Sequence, residues 1–286
     1  MGRERFFGML EKESGLWRGE LWIAEEVLKG LGLARSQHSL IDLAAGLEAD
    51  ICFFSYSSPI RAVAVDSGEM AELIEKGHGL GLACGVAVDG PFERLVGQMG
   101  FMEVMGLFAN GNALKEALQK NVLAAEKELA AAAGAGADLL VLCDDIAYNR
   151  GLYFSPGHYN AFILPLYRRL RGAVSAGAPL GFHSDGNIES IMAGFYNEGY
   201  SLFSVEPEAM NLIDLSSRLP GDVVIIAGIK ADWLVGPDFG QRETGEIKDY
   251  ISTLARGRRI ILSSACGIPH LPALERLKGI YRLLAG

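Results

Sequence analysis

Cysteine is scarce: this 286-residue chain has four, Cys52, Cys84, Cys143 and Cys266, with no CxxC spacing among them. That excludes a disulfide-stapled scaffold and a thiolate zinc ribbon, and fits a reducing cytoplasm. Positive charge is also in short supply, with 26 Lys and Arg against 35 Asp and Glu, a formal charge of −9 and a pI near 5.1. Nothing here would neutralise a polyanion, so nucleic acid is excluded as a partner. The densest basic patch, Arg168, Arg169 and Arg171, reads as a solvated helix face. Long apolar runs are missing too. The best stretch, Leu129 to Cys143, is broken by Gly134, Gly136 and Asp138 and is too short to span a bilayer. The N-terminus fits neither a signal peptide nor, with Phe6, a myristoylation site, so the expectation is a soluble cytoplasmic protein without a membrane partner. A Gly-rich phosphate turn after the first strand is absent, which argues against a doubly wound nucleotide-binding sheet.

What is present is repetition. Eight apolar, β-rich runs recur at Gly19–Ile23, Asp50–Ser55, Leu82–Val88, Asp138–Cys143, Leu180–His183, Ser201–Val205, Asp222–Ala227 and Arg259–Ser264. Most are continuously apolar, as parallel strands covered on both sides must be. Helical patterns lie between them: Asn187 caps one that Gly199 stops, and Ser155-Pro156 opens another with Phe162, Ile163, Leu166, Tyr167 and Leu170 on one face. Met102–Phe108 reads as strand or helix. Strand then helix eight times, with no Ser/Pro-rich linker, predicts an α/β chain forming a single (β/α)8 TIM barrel over residues 1–286, with residues 1–15 as an N-terminal helical extension.

Function in such a barrel sits at the C-terminal ends of strands. The tips here are Glu20 and Trp22, Ser55-Tyr56-Ser57, Asp89 to Glu93, Asp144-Asp145, His183-Ser184-Asp185, Glu206, Lys230 and Asp232, and Cys266. His183 and Asp185 are two apart, which in extended backbone places both on one face. With Cys266 from the eighth strand they make a nitrogen, oxygen and sulfur set suited to catalytic zinc. The same residues have ordinary structural uses: Asp185-Gly186-Asn187 is a turn and cap, a lone Cys is a small apolar residue, and strand-end acids satisfy loop amides. For Asp144 and Asp145, base, orienting group and loop ligand all stay open.

At these same residues the chain resembles the uroporphyrinogen decarboxylase superfamily, and most closely its methylcobamide-dependent methyltransferase branch. The segments that carry the resemblance are Val86 to Phe92, Gly136 to Asp145, Ser155 to Pro165, His183 to Gly186, Ile226 to Ile229, and Cys266 to Pro269. The resemblance implies a (β/α)8 barrel. The decarboxylases use an Arg-rich N-terminal segment, an aspartate after the second strand and a Gly-His-Gly near the end. This chain has Leu16 to Glu26 with one Arg, Phe54-Ser55-Tyr56, and Ala265-Cys266-Gly267 in those places. The methyltransferases carry His-x-Cys on the fifth strand and Cys on the eighth, matched here by His183 and Cys266, with Asp185 where the first Cys would stand.

The expectation is a zinc-dependent methyltransferase working with a corrinoid protein and a small-molecule methyl donor or acceptor such as a thiol. His183, Asp185 and Cys266 would hold zinc. Asp144 or Asp145 would orient the acceptor or support His183, Glu20 would be a fourth ligand at rest, and Tyr56 would stand at the decarboxylases' aspartate position. A decarboxylase or lyase on another substrate, and a non-catalytic ligand-binding barrel, are the competing expectations.

Overall fold

The computed structural model describes residues 2–11, 14–56, 64–65, 69–174, 178–235, 241–264 and 267–284. Its strands are β1 Gly15–Arg18, β2 Ile51–Tyr56, β3 Ala64–Val65, β4 Ala83–Asp89, β5 Leu139–Cys143, β6 Ala147–Tyr148, β7 Gly151–Leu152, β8 Leu180–His183, β9 Leu202–Ser204, β10 Val224–Ile229 and β11 Arg259–Ser264. All but β6 and β7 form one parallel sheet in the order β1-β11-β10-β9-β8-β5-β4-β2-β3. Its ends are β1 and the two-residue β3, and β2, beside β3, comes back to β1 at its lower end. There the Asp50 N–H donates to the Arg18 carbonyl at 2.9 Å, and the Asp50 carboxylate accepts from the Arg18 N–H at 3.0 Å. The architecture is an α/β fold with a curled parallel sheet of the TIM-barrel kind.

Strand alternation divides the side chains between two layers. Ile51, Phe53, Ala83, Ala87, Leu139, Val141, Cys143, Leu202, Val224, Ile226 and Ile261 form one buried cluster that contains no residue from the intervening helices. Their neighbours, such as Phe54, Val86, Leu140, Leu142, Phe182 and Phe203, pack against those helices instead. Such two-sided burial explains the continuously apolar runs. The lower end of the inner cluster is plugged by the helix Gly2–Leu10, whose Phe6 is fully buried in it. Arg3 and Arg5 of this helix pair with Asp138 and Asp50, each at 3.0 Å, beneath β5 and β2.

Two elements depart from the expected runs. The first strand covers Gly15–Arg18 instead of Gly19–Ile23, because Gly19 presses against Ile51, with an added Cβ only 3.1 Å from its backbone oxygen, and the chain then turns to bring Glu20 to β11. The segment 101–107 is helix, and β6 and β7 form an antiparallel hairpin with no counterpart among the eight runs. Ser155 caps its helix through His158 N, and Asn187 accepts from Glu189 N.

Candidate metal centre at the strand tips

Parallel register sets the geometry of the upper rim. Cys143 pairs with His183, His183 with Ser204, and Asp89 with Cys143, so these inner-face residues share one level. Two residues further along, the inner-face positions of β5, β8 and β9 continue as Asp145, Asp185 and Glu206. The Asp185 N–H donates to Asp145 Oδ1 at 2.9 Å, which ties the first two together. His183 Nε2 lies 3.2 Å from Asp185 Oδ1, and His183 Nδ1 lies 2.9 Å from Ser204 Oγ.

One donor atom each from Asp145, His183 and Asp185 falls within 4.8 Å of the others. An imidazole whose second nitrogen is held by a hydroxyl, beside two carboxylates, is the arrangement by which proteins orient a metal-binding histidine. His183 is mostly covered, with 15% of its side chain exposed, while Asp185 at 58% opens toward solvent. Glu206 feels the same charge. Burial first, then Asp185 and Glu208, push its carboxyl up to about 8, with His183 opposing. A cation here would relieve that crowding of acids.

The hairpin β6–β7 sits beside this group. Tyr148 O accepts from Asn187 N at 2.9 Å, and a Cβ on Gly186 would lie 2.1 Å from the carbonyl carbon of Ala147. Only glycine lets the His183–Asn187 turn dock there. Tyr153, just after the hairpin, stacks on Tyr148 at 5.8 Å and meets Phe101 edge-on at 4.8 Å. Its hydroxyl pKa is raised by burial, then by Asp145, Asp185 and Glu93, which places it in the field of the site acids.

Three sequence candidates lie in the other layer. Asp144 is fully buried; its carboxylate accepts from Phe92 N at 3.3 Å, Glu93 N at 2.5 Å and Tyr167 Oη at 2.8 Å. It therefore caps the helix Pro91–Met99, whose N-terminal dipole favours an acid. Glu20 accepts from Ser264 N, Ser264 Oγ and Tyr281 Oη at 2.9, 2.6 and 2.9 Å, joining β1 to β11 and the last helix, and burial raises its pKa. Tyr56 packs in the outer cluster near the helix Gly111–Gly134. Cys266 lies outside the described residues, and His270 caps the helix Leu271–Leu283 through Ala273 N. Neither Glu206 nor Tyr153 was given a role from sequence. The two-residue period that groups His183 with Asp185 also puts Glu206, a strand tip in the sequence, on their face, and it parts Asp144 from Asp145.

Gly90 shows how tightly Asp144 is seated, since a Cβ there would lie 2.2 Å from the Asp144 carboxyl carbon. Gly90→Ala should cost about 2–4 kcal/mol, read as a shift in the urea midpoint. The Asp144 pKa, 3.8 ordinarily, is pushed up to about 8, mainly by burial. The folded protein thus holds a proton that the unfolded chain has released between those values. The group's contribution is complete below about pH 4 and is lost as pH rises through about 8, at no more than ~1.4 kcal/mol per unit. Urea midpoints across this range should fall less steeply in Asp144→Asn.

A second group, His78, Cys84 and Asp138, also has metal-binding donors close together. Its carboxylate is already occupied by Arg3, by His78 Nε2 at 2.8 Å and by Cys84 N at 2.8 Å, and burial lifts the Cys84 thiol to about 12. A fixed guanidinium and a protonated thiol make this a structural lock beneath the sheet.

Residues 68–282 match the family described as uroporphyrinogen decarboxylase (URO-D). No curated protein matches the sequence. Among solved structures, a methyltransferase from Methanosarcina mazei is similar with a TM-score of 0.61 at 18% identity, covering 77% of this chain and 64% of that one. The chain thus spans somewhat less than two thirds of that protein's length. A putative vitamin-B12 independent methionine synthase from Listeria monocytogenes gives 0.55 at 11% identity, covering 87% and 85%. A D-psicose 3-epimerase from Clostridium cellulolyticum H10 gives 0.53 at 11%, covering 94% and 97%. At these identities the likeness concerns the fold.

Proposed function

Because the chain belongs to the uroporphyrinogen decarboxylase family, we propose that it is a zinc-dependent methyltransferase of that family, moving a methyl group between a corrinoid protein and a small acceptor or donor. The observation that carries this is the convergence of Asp145, His183 and Asp185 at the strand tips. The reading takes the curled sheet as a closed (β/α)8 barrel, supported by the paired Asp50–Arg18 bonds that bring the start of β2 to β1. The Methanosarcina likeness and the motif series also favour the methyltransferase branch.

The donor set fits the metal: one imidazole nitrogen and two carboxylate oxygens are ordinary zinc ligands. Zinc held there supplies a Lewis acid and lowers the pKa of a coordinated thiol or hydroxyl. The protein's own groups do the rest. Ser204 fixes the His183 ring so that Nε2 meets the acids, and the Asp185 amide fixes Asp145. Glu206, next along the rim, takes up in its ionised form the proton that the methyl acceptor gives up, so transfer should rise as pH approaches about 8. Tyr153 and the hairpin cover one side of the site and limit water there. Asp145 thereby joins His183 and Asp185 as a ligand, and Cys266 remains a proposed further donor. Asp144 and Glu20 hold the rim elements in place.

The test is methyl transfer from methylcobalamin to a small thiol, followed by the loss of methylcobalamin absorbance. Protein carrying about one equivalent of zinc should transfer, and chelator-stripped protein should not until zinc is returned. Equal activity after stripping would sink the metal reading.

A further inference from the structure

A cavity lies in the seam between β1 and β2, walled by Leu21, Ile23, Leu40, Ala44, Ile51 and Phe53, with Gln37, Glu20, Ser55 and Tyr281 supplying its polar atoms. Its volume is about 30 Å³. That exceeds the ~10–15 Å³ that one water requires. Gln37 opens the helix Gln37–Gly46 and is 2% exposed, yet neither its Nε2 nor its Oε1 has a hydrogen-bond partner. Among the described residues it is the only buried carboxamide left so, the other unpartnered buried side-chain polar atoms being the hydroxyls of Tyr159 and Ser184.

An orphaned buried carboxamide is costly, and an apolar side chain would fill the same space more cheaply. Such a local conflict is the kind that proteins keep where a ligand completes the bonding. We propose that this seam cavity is a binding site for a small neutral primary amide, whose C=O would accept from Gln37 Nε2 while its N–H donates to Gln37 Oε1. The choice of class follows from the walls. A carboxylate would meet the buried Glu20 and has no donor for Gln37 Oε1, and an ammonium would leave Gln37 Nε2 without an acceptor. The apolar lining suits a short alkyl body of one or two carbons. This site is separate from the metal centre, and its fate does not depend on the methyltransferase reading.

The test uses the full chain, acetamide as probe, and acetate and methylammonium as controls. In a ¹⁵N spectrum, acetamide should shift the Gln37 side-chain NH₂ resonances saturably, with both controls at least tenfold weaker. Gln37→Leu should abolish saturable acetamide binding while raising Tm by several degrees, since it removes the unmet groups. Unmoved Gln37 resonances in the wild-type protein would overturn the proposal. So would a crystal structure in acetamide showing only ordered water in the seam, or equal binding by acetate.

Discussion

His183→Ala should leave the protein folded but unable to retain zinc, with methyl transfer reduced to background. The imidazole is the only nitrogen donor of the trio, and it lies at the end of β8, where its removal opens space toward the mouth without breaking a strand. Losing a residue that merely supports a ligand costs roughly 10–100-fold in metal affinity, so losing the ligand should exceed that range. The comparison that separates metal binding from packing is Ser204→Ala. It keeps the imidazole and frees its Nδ1, so affinity should fall within that 10–100-fold range, with the unfolding midpoint nearly unchanged. Zinc content by mass spectrometry and affinity by competition with a chromophoric chelator read both outcomes. Full zinc retention in His183→Ala would contradict the assignment.

Gly186→Ala should disable the site through the backbone. The added methyl would lie 2.1–2.4 Å from the backbone of Ala147 and Tyr148, far inside contact distance. Backbone cannot swing aside as a side chain does, so either the turn or the hairpin must move. The turn carries Asp185 and the hairpin precedes Tyr153, so both sides of the mouth shift. We expect a loss of about 2–4 kcal/mol in stability and at least a tenfold loss of zinc affinity. Gly194→Ala is the matched control, since nothing lies within 4 Å of a Cβ there, and it should behave as wild type or slightly better. Equal behaviour of the two variants would show that the docking of hairpin on turn is unimportant.

The strands were legible because each is apolar on both faces, a demand only buried parallel strands make. Leu180–His183 and Arg259–Ser264 coincide with the runs read from sequence. The first strand was misplaced because Trp17 and Trp22 make the residues on both sides of Gly19 look alike, and only the contact of Gly19 with Ile51 decides where extended pairing ends. At the site, His183 and Asp185 were legible as a pair two apart on one face. Asp144 and Asp145 looked equivalent as letters, yet adjacent strand residues face opposite layers, and that sends one to cap a helix and the other to the mouth. Glu20 and Tyr56 follow the same rule, both alternating with inward neighbours. What sequence could not supply is the hairpin over the rim. Its strands are two residues each, too short for any periodicity to register.

The central claim is that one metal ion sits at the tips of β5 and β8. Anomalous scattering from a crystal, measured above and below the zinc absorption edge, tests it most directly. The account predicts a single strong peak about 2.0–2.2 Å from His183 Nε2 and from carboxylate oxygens of Asp145 and Asp185. A peak at His78, Cys84 and Asp138 in its place, or no peak at the strand tips in protein purified without chelator and given zinc, would contradict it.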